Sequence, residues 1–368
     1  MPILFFAEVG FRTGGGTIGT VILAILAATL AQTADAIYPS EHWESRTPEA
    51  VGLDVAKLDA MRDFMGGRGC VVRHGYLVYS WGDVEKAGDV ASALKPWIAH
   101  FVFVAVEDGL LPSVDARVVD YAPCLNDLNA DLDYKDRAIT FRHMANQVSC
   151  YGVREAPGTA FDYNDWQMAL LWDTLFLEVF GKTAETVSDT VLHPRLTDIL
   201  QCEDNPSFVP NSGRLAVSPR DFARFGLLYL HGGSWNGQQL LSREHVTEIT
   251  TSPVPNTIPR TAAEAAEMCP GQRTIGSQRI PDNQTEHEGS YSWLWWTNGE
   301  NADGERLWPD APHDIFAALG HKNGMRGMAV FPSHDMVVSW NDTKLGGMPE
   351  KPEPLNTVFQ LAAEAVVR

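Results

Sequence analysis

The chain has 368 residues, 45% of them hydrophobic and 20% charged, which is too apolar for a disordered chain and enough to bury a sizeable core in one or two lobes. A formal charge of -19 with no basic run excludes nucleic acid and anionic lipid surfaces as partners, because counterion release needs clustered Lys and Arg. Five cysteines (Cys70, Cys124, Cys150, Cys202 and Cys269) are too few and scattered for a disulfide scaffold, form no C-x-x-C pair, and leave at least one thiol unpaired.

Thr17 to Ala31 is almost wholly apolar, preceded by Arg12 and followed by Ala34-Asp35-Ala36. That is a signal-peptide layout over residues 1–36, with cleavage expected after Ala36 and export to the periplasm or the outside of the cell. A run of about 15 residues is short of the roughly 20 that a bilayer span requires, and an uncleaved anchor is the alternative. Gly14, Gly16 and Gly19 match G-x-G-x-x-G, but no strand precedes them and nucleotide binding is not expected there.

Leu58, Met61, Phe64 and Met65 fall at helical spacing over Val55 to Met65. Cys70 to Arg73 and Tyr76 to Trp81 read as strands, with His74-Gly75 as the tight turn of a hairpin. From Lys95 to about Ser290 the pattern is helical, with helices expected at Trp97 to Glu107, Asp165 to Phe180, Pro219 to His231, Ser242 to Ile249 and Ala262 to Met268. Strand character returns at Tyr291 to Thr297, Ile315 to Leu319, Met325 to Phe331 and Met336 to Trp340, before an Ala-rich helix from about Leu355 to Val367. The two ends share one style. An antiparallel sheet must cover its apolar faces, so the expected fold is α+β, an antiparallel sheet flanked by the N- and C-terminal helices with a large inserted helical lobe. The sheet lobe spans about 45–90 plus 288–368, and the helical lobe about 91–287.

Ser92-Ala93-Leu94-Lys95 opens the first long helix of the middle segment, and residues three apart at a helix start lie on one face. A Ser hydroxyl is a poor nucleophile without a base in hydrogen-bond reach, and a desolvated Lys amine with a lowered pKa can serve. The helix N-terminus favours the negative charge that develops in acyl transfer. Pro96 is tolerable only if the helix begins near Ser92. No G-x-S-x-G elbow and no H-E-x-x-H pair occurs, and His313-Asp314 and His334-Asp335 are too isolated to suggest a metal.

Context adds to this motif. Asp89 to Lys95, continued by Ala105 to Leu111, resembles the nucleophile segment of the β-lactamase-related serine hydrolases, the group that includes class C β-lactamases, penicillin-binding proteins and esterases. Ile139 to Met144 resembles the segment before that family's second motif, and Pro157 to Asn164 resembles the motif itself, with Tyr163 in its tyrosine position. Leu215 to Tyr229 resembles the following helix, and Phe331-Pro332 with Met336 to Val338 resembles the closing hairpin. The resemblance implies a β-lactamase/transpeptidase-like fold with the site between the lobes, and an acyl-enzyme mechanism without metal or organic cofactor. In it Ser92 attacks a carbonyl and Lys95 and Tyr163 relay its proton, in an order left open.

The family's third element, a Lys or His followed by Thr or Ser and Gly, has its counterpart in Gly320-His321-Lys322-Asn323-Gly324, read from either His321 or Lys322. As a bare sequence it is equally an Asn-Gly hairpin turn. Backbone N–H groups of Ser92 and of Gly324 or Met325 are the implied oxyanion donors. One departure bears on substrate: where the tyrosine motif ends in Asn, this chain has Asp165, with Asn164 between. An ionised Asp165 accepts hydrogen bonds and cannot donate to an amide carbonyl, and it would hold Lys95 as ammonium. Asn164 and Asp165 are placed with the substrate-binding residues, and Trp97, Trp293, Trp295 and Trp296 are available for an aromatic cleft.

The expected activity is cleavage of a small ester or amide. A β-lactamase or DD-peptidase, ranked lower because of Asp165, and a non-catalytic binding protein of the same fold are the alternatives. The expected partner is a small-molecule ester, amide or lactam, with no nucleic acid and no membrane contact beyond the export segment.

Overall fold

A computed structural model describes residues 36–368 apart from 211, 351, 352 and 368, so the apolar run and the export expectation attached to it lie outside the described residues. Asp54 caps helix α1 (Val55–Met65) by accepting the Ala56 N–H at 2.8 Å, and Leu58, Met61 and Met65 form its buried side. Strands β1 (Arg68–Arg73) and β2 (Tyr76–Trp81) follow. His74 and Gly75 join them at φ 53° and 79°, the paired left-handed turn whose twist suits a hairpin.

Short β3 (Gly88–Asp89) leads through a 3-10 turn, Ala91–Leu94, into α2 (Lys95–Glu107), which is buried on every side from Lys95 to Ala105. Pro96 falls in the first turn of α2, where its missing N–H costs little. The middle of the chain supplies α3 (Phe141–Ala145), α4 (Asp165–Asp173), β4 (Ser207–Val209), β5 (Arg214–Val217) and α5 (Pro219–Leu230). A two-residue hairpin, β6 (Ser234–Trp235) and β7 (Gln238–Gln239), precedes α6 (Arg243–Thr251). Then come β8 (Tyr291–Ser292), β9 (Trp295–Thr297), β10 (Phe316–Gly320), β11 (Arg326–Phe331), β12 (Met336–Asn341) and α7 (Pro354–Glu364).

The main sheet is antiparallel in the order β2-β1-β12-β11-β10-β9-β8. Its central joint sets Val338 opposite both Val71 and Ala329, which brings the early hairpin beside the late strands. One face packs Val71, Ala329 and Val338 against Leu58 and Met61 of α1 and Val358 and Phe359 of α7. The other packs Val72, Met328 and Val337 in the same cluster as Trp97 of α2 and Phe222 and Phe225 of α5. Gly226 lets α5 approach closely, because a Cβ there would lie 2.7 Å from Met328 Sδ and Val337 Cγ1. This is the expected α+β architecture, with the helical segment inserted between the two parts of the sheet.

Three local expectations need correction, the first being the single strand expected over Tyr291 to Thr297, which turns back at Trp293-Leu294 (φ 48° and 68°) into the antiparallel pair β8 and β9. The helix expected over Asp165 to Phe180 is α-helical only to Asp173 and continues as wider π turns over Thr174–Val179. Ala262 to Met268 is not a helix: Ala265 bridges Val153, Asn129 Oδ1 accepts the Glu267 N–H at 2.8 Å, and tertiary partners override the alanine propensity. The neighbouring Cys269 is disulfide-bonded to Cys124, while Cys70, Cys150 and Cys202 are free. Burial pushes the Cys150 thiol up to about 11, which suits an inert core cysteine. Among the described residues no helix is long and apolar enough to cross a membrane.

Candidate active site

Ser92 sits on the 3-10 turn just before α2, and that turn is built around an unusual backbone: Ala91 has φ 51°. Asp89 steadies it by accepting the Ala91 N–H at 2.8 Å. Asp89 is in turn gripped by Arg214, through Nε at 3.1 Å and Nη2 at 2.5 Å, and by Arg326 Nη1 at 3.2 Å. The end of β10 presses on the same turn. A Cβ at Gly320 would lie 2.0 Å from Val90 O, so only glycine fits there.

One helical turn on, Lys95 is 1% exposed. Its Nζ donates to Ser92 Oγ at 2.8 Å and to Asp165 Oδ1 at 3.0 Å, and lies 4.4 Å from the centroid of the Tyr163 ring. Burial by itself would push the Lys95 amine down, but the charge of Asp165 and the Tyr163 phenol outweigh it, and its pKa is raised. Asp165 mirrors this. Burial would raise its carboxyl, yet the Lys95 charge and the Ser277 N–H on Oδ2 at 3.0 Å bring it below the ordinary value. The resting pair is therefore ammonium and carboxylate, and the lowered lysine pKa expected from desolvation is not what the surroundings produce.

The residues that hold Asp165 come from a stretch, 252–290, that has no helix or strand of its own and only isolated bridges to Val153 and Phe161. Besides Ser277, it brings Asp282 Oδ2 to within 2.9 Å of the Asp165 N–H, and the Gln284 N–H to within 3.2 Å of Tyr163 O. Gly276 lies against the carboxylate so closely that a Cβ would be 2.3 Å from Asp165 Oδ2. Sequence reading missed Asp89, Arg214, Gly276, Ser277 and Asp282. Periodicity carries no signal for them, since each acts from a loop or strand end.

A cleft of about 960 Å³ opens over Ser92, lined among others by Tyr163, Asp165, Trp296, Trp308 and His321. Of the tryptophans proposed for it only Trp296 lines it; Trp97, Trp293 and Trp295 are core residues at most 1% exposed, and Trp308 takes a place not foreseen. Asn164 is not free for substrate either. Its Oδ1 caps α4 by accepting the N–H groups of Trp166 and Gln167 at 2.8 and 3.1 Å, and its Nδ2 donates to Tyr151 O and Asp162 Oδ2.

The 320–324 segment behaves as a turn between β10 and β11. His321 (φ 62°), Lys322, Asn323 and Gly324 all line the cleft, and Lys322 is half exposed with Nζ 3.7 Å from Glu350 Oε1. Asn323 donates to the carbonyls of Leu345 and Met348 at 3.0 and 2.9 Å. Of the expected oxyanion donors, the two from this turn are already engaged, Gly324 N–H with His321 O at 3.1 Å and Met325 N–H with Lys322 O at 3.2 Å. The tight turn consumes the two N–H groups that a strand would have left open.

No family model matches the chain. An uncharacterized protein of Alkalihalophilus pseudofirmus is 22% identical over 246 residues, 57% of this chain and 72% of that protein. Among solved structures, a Bacillus anthracis protein named as a 6-aminohexanoate-dimer hydrolase is similar with TM-score 0.58 and 17% identity, over 90% of this chain and 87% of that one. A Bacteroides dorei protein named as a β-lactamase is similar with TM-score 0.59 and 16% identity over 86% and 100%. A β-lactamase/D-alanine carboxypeptidase of Pseudomonas syringae is similar with TM-score 0.54 and 12% identity over 86% and 99%. The chain has the fold of the β-lactamase-related serine hydrolases.

Proposed function

We propose that the protein is a serine hydrolase that cleaves a small ester or amide through an acyl-enzyme on Ser92. The observation that carries this reading is the bridging position of Lys95 Nζ, at hydrogen-bond distance from both Ser92 Oγ and Asp165 Oδ1. As Oγ attacks a carbonyl carbon, its proton passes to Nζ while Nζ gives one of its own to Asp165, so that the buried lysine keeps its charge and the carboxylate is the terminal acceptor. Collapse of the tetrahedral adduct expels the leaving group, which takes a proton back from this relay, and water then releases the acyl group. Tyr163 closes one side of the ammonium and keeps bulk water from it; His321, which lines the cleft with no side-chain hydrogen bond or ion pair among the described residues, is assigned to substrate contact.

Both oxygens of Asp165 are occupied, by Lys95 and by the Ser277 N–H, so this position offers a substrate amide no donor. That favours activated esters over lactams and other substrates recognised through an amide carbonyl. The names of the Bacillus anthracis and Pseudomonas syringae proteins are consistent with an acyl-transfer site in this fold. Export to an oxidising compartment fits the Cys124–Cys269 disulfide. A second reading, a ligand-binding protein that acylates without turnover, is favoured by the charged resting state of Lys95.

Hydrolysis of p-nitrophenyl acetate by wild type and Ser92→Ala protein tests the proposal. The expected result is a loss of at least about 10³-fold in the variant, and equal rates contradict it. A single burst of one equivalent with no turnover selects the binding reading.

A further inference from the structure

The anchors of the 252–290 stretch converge on one side chain. The stretch is tied near its middle by the Cys124–Cys269 disulfide. Further along, Arg273 holds Asp173 through Nη2 at 2.5 Å, and Arg279 O accepts from Trp166 Nε1 at 2.8 Å, so both flank α4. Between and beyond these ties, Gly276 and Ser277 contact the Asp165 carboxylate and Asp282 accepts its backbone N–H. Asp165 is the first residue of α4, and its N–H is one of the donors that a helix start leaves open.

We propose that this strap is a positioning element of the active site, in which Ser277 and Asp282 fix Asp165 against Lys95 and the Cys124–Cys269 disulfide holds the strap in register. The inference rests on the serine-hydrolase reading for its effect on rate, but not for its effect on Asp165 itself. Without the strap the Asp165 side chain regains its rotamers and the space now filled by Gly276 admits water. The charged and titratable groups facing Asp165 are Lys95 and Tyr163 within the site, Tyr291 from β8, Arg214 from β5 and Asp282 from the strap. Loss of the Ser277 N–H removes a bond to the charged form, so Asp165 takes up a proton at higher pH than before. The relay then loses its acceptor in mild acid.

Three perturbations test this. Asp282→Ala removes the acceptor, Asp282→Asn keeps an acceptor oxygen without the charge, and Cys124→Ser with Cys269→Ser, or treatment of the folded protein with a dithiol, frees the strap. A dithiol reduces the bond to two thiols and is itself oxidised to a cyclic disulfide. The three other cysteines are already thiols, so reduction changes only this pair. The first readout is the ratio of Ser92 acylation rates at pH 4 and pH 8 with p-nitrophenyl acetate. Both Asp282 variants lose the like charge that repels the Asp165 carboxylate, so the comparison between them isolates the acceptor. The ratio is about threefold lower in Asp282→Ala than in Asp282→Asn, and about threefold lower in the reduced protein than in the oxidised one. The second is the titration of the Asp165 carboxyl by carbon NMR in Ser92→Ala protein, whose midpoint is higher in Asp282→Ala than in Asp282→Asn and higher in the reduced than in the oxidised protein.

Equal ratios and midpoints in folded Asp282→Ala and Asp282→Asn protein, or in reduced and oxidised protein, overturn the proposal. If Asp282→Ala does not fold, the reduced protein decides. If Ser92 is never acylated, the proposed function fails and the NMR midpoint alone decides the role of the strap.

Discussion

Replacing Asp165 by Asn changes one atom and removes one charge, so its consequences follow from the Lys95 pair almost alone. The two groups are 3.0 Å apart, with side chains 1% and 8% exposed. Stripping one partner from such a pair leaves an uncompensated buried charge, at a cost of about 3–5 kcal/mol while Lys95 stays protonated. In the wild type the Lys95 pKa is raised above its unfolded value, so the pair stabilises the fold fully below the unfolded lysine pKa and is lost only as pH rises through the folded one. In Asp165→Asn the largest remaining influence is burial, which lowers the amine and reverses the sign. The variant is then weakest in acid and recovers as pH climbs towards the ordinary lysine range. Urea unfolding at pH 6 and pH 9 reads this directly: a deficit of about 3–5 kcal/mol at pH 6, narrowing by more than about 1 kcal/mol at pH 9. The same variant should show its acylation limb moved from the carboxylate range towards that of an amine, because Lys95 must then shed its proton before it can take one from Ser92. A deficit below about 1 kcal/mol at pH 6, with no change at pH 9, refutes the reasoning.

Two other outcomes are expected. Burial pushes the Asp162 carboxyl up to about 7, against the Asn164 amide that favours its charge, so the folded state holds a proton there that the unfolded chain has released. Stability from this group falls between about pH 4 and pH 7, and Asp162→Asn should gain on the order of 4 kcal/mol at most above that window and little below it; thermal unfolding at pH 4 and pH 8 checks it, and an equal gain at both contradicts it. Gly276→Ala places a methyl 2.3 Å from Asp165 Oδ2, which forces the strap or the carboxylate to move. The expected cost is about 1–3 kcal/mol together with at least a tenfold loss in Ser92 acylation, and a wild-type rate would contradict the contact.

The parts of this fold that periodicity encodes are visible before any coordinates. The α1 helix, the His74-Gly75 turn and the strands β10, β11 and β12 carry their own spacing or turn chemistry, and Ser92 and Lys95 meet because three residues at a helix start nearly complete a turn. Asp165 was recognisable as a charge that would keep Lys95 protonated, since a carboxylate beside an amine has one electrostatic outcome. What the sequence conceals is every contact made at long range by irregular backbone. Nothing near Ser277 or Asp282 indicates that they end beside Asp165, and the alanines of 262–268 suggest a helix that Asn129, Val153 and Cys124 override. Asn164 and Asn323 resemble ligand-binding amides in a one-dimensional reading, but a helix start and two loop carbonyls claim their hydrogen bonds first.

The central claim is that Ser92 becomes covalently acylated, and peptide mapping by mass spectrometry after brief exposure to p-nitrophenyl acetate and acid quenching tests it most directly. The account predicts one acetyl group, on the peptide containing Ser92, absent from Ser92→Ala protein and sharply reduced in Lys95→Ala protein. An unmodified Ser92 peptide, or the same adduct yield on another residue in all three proteins, would contradict it.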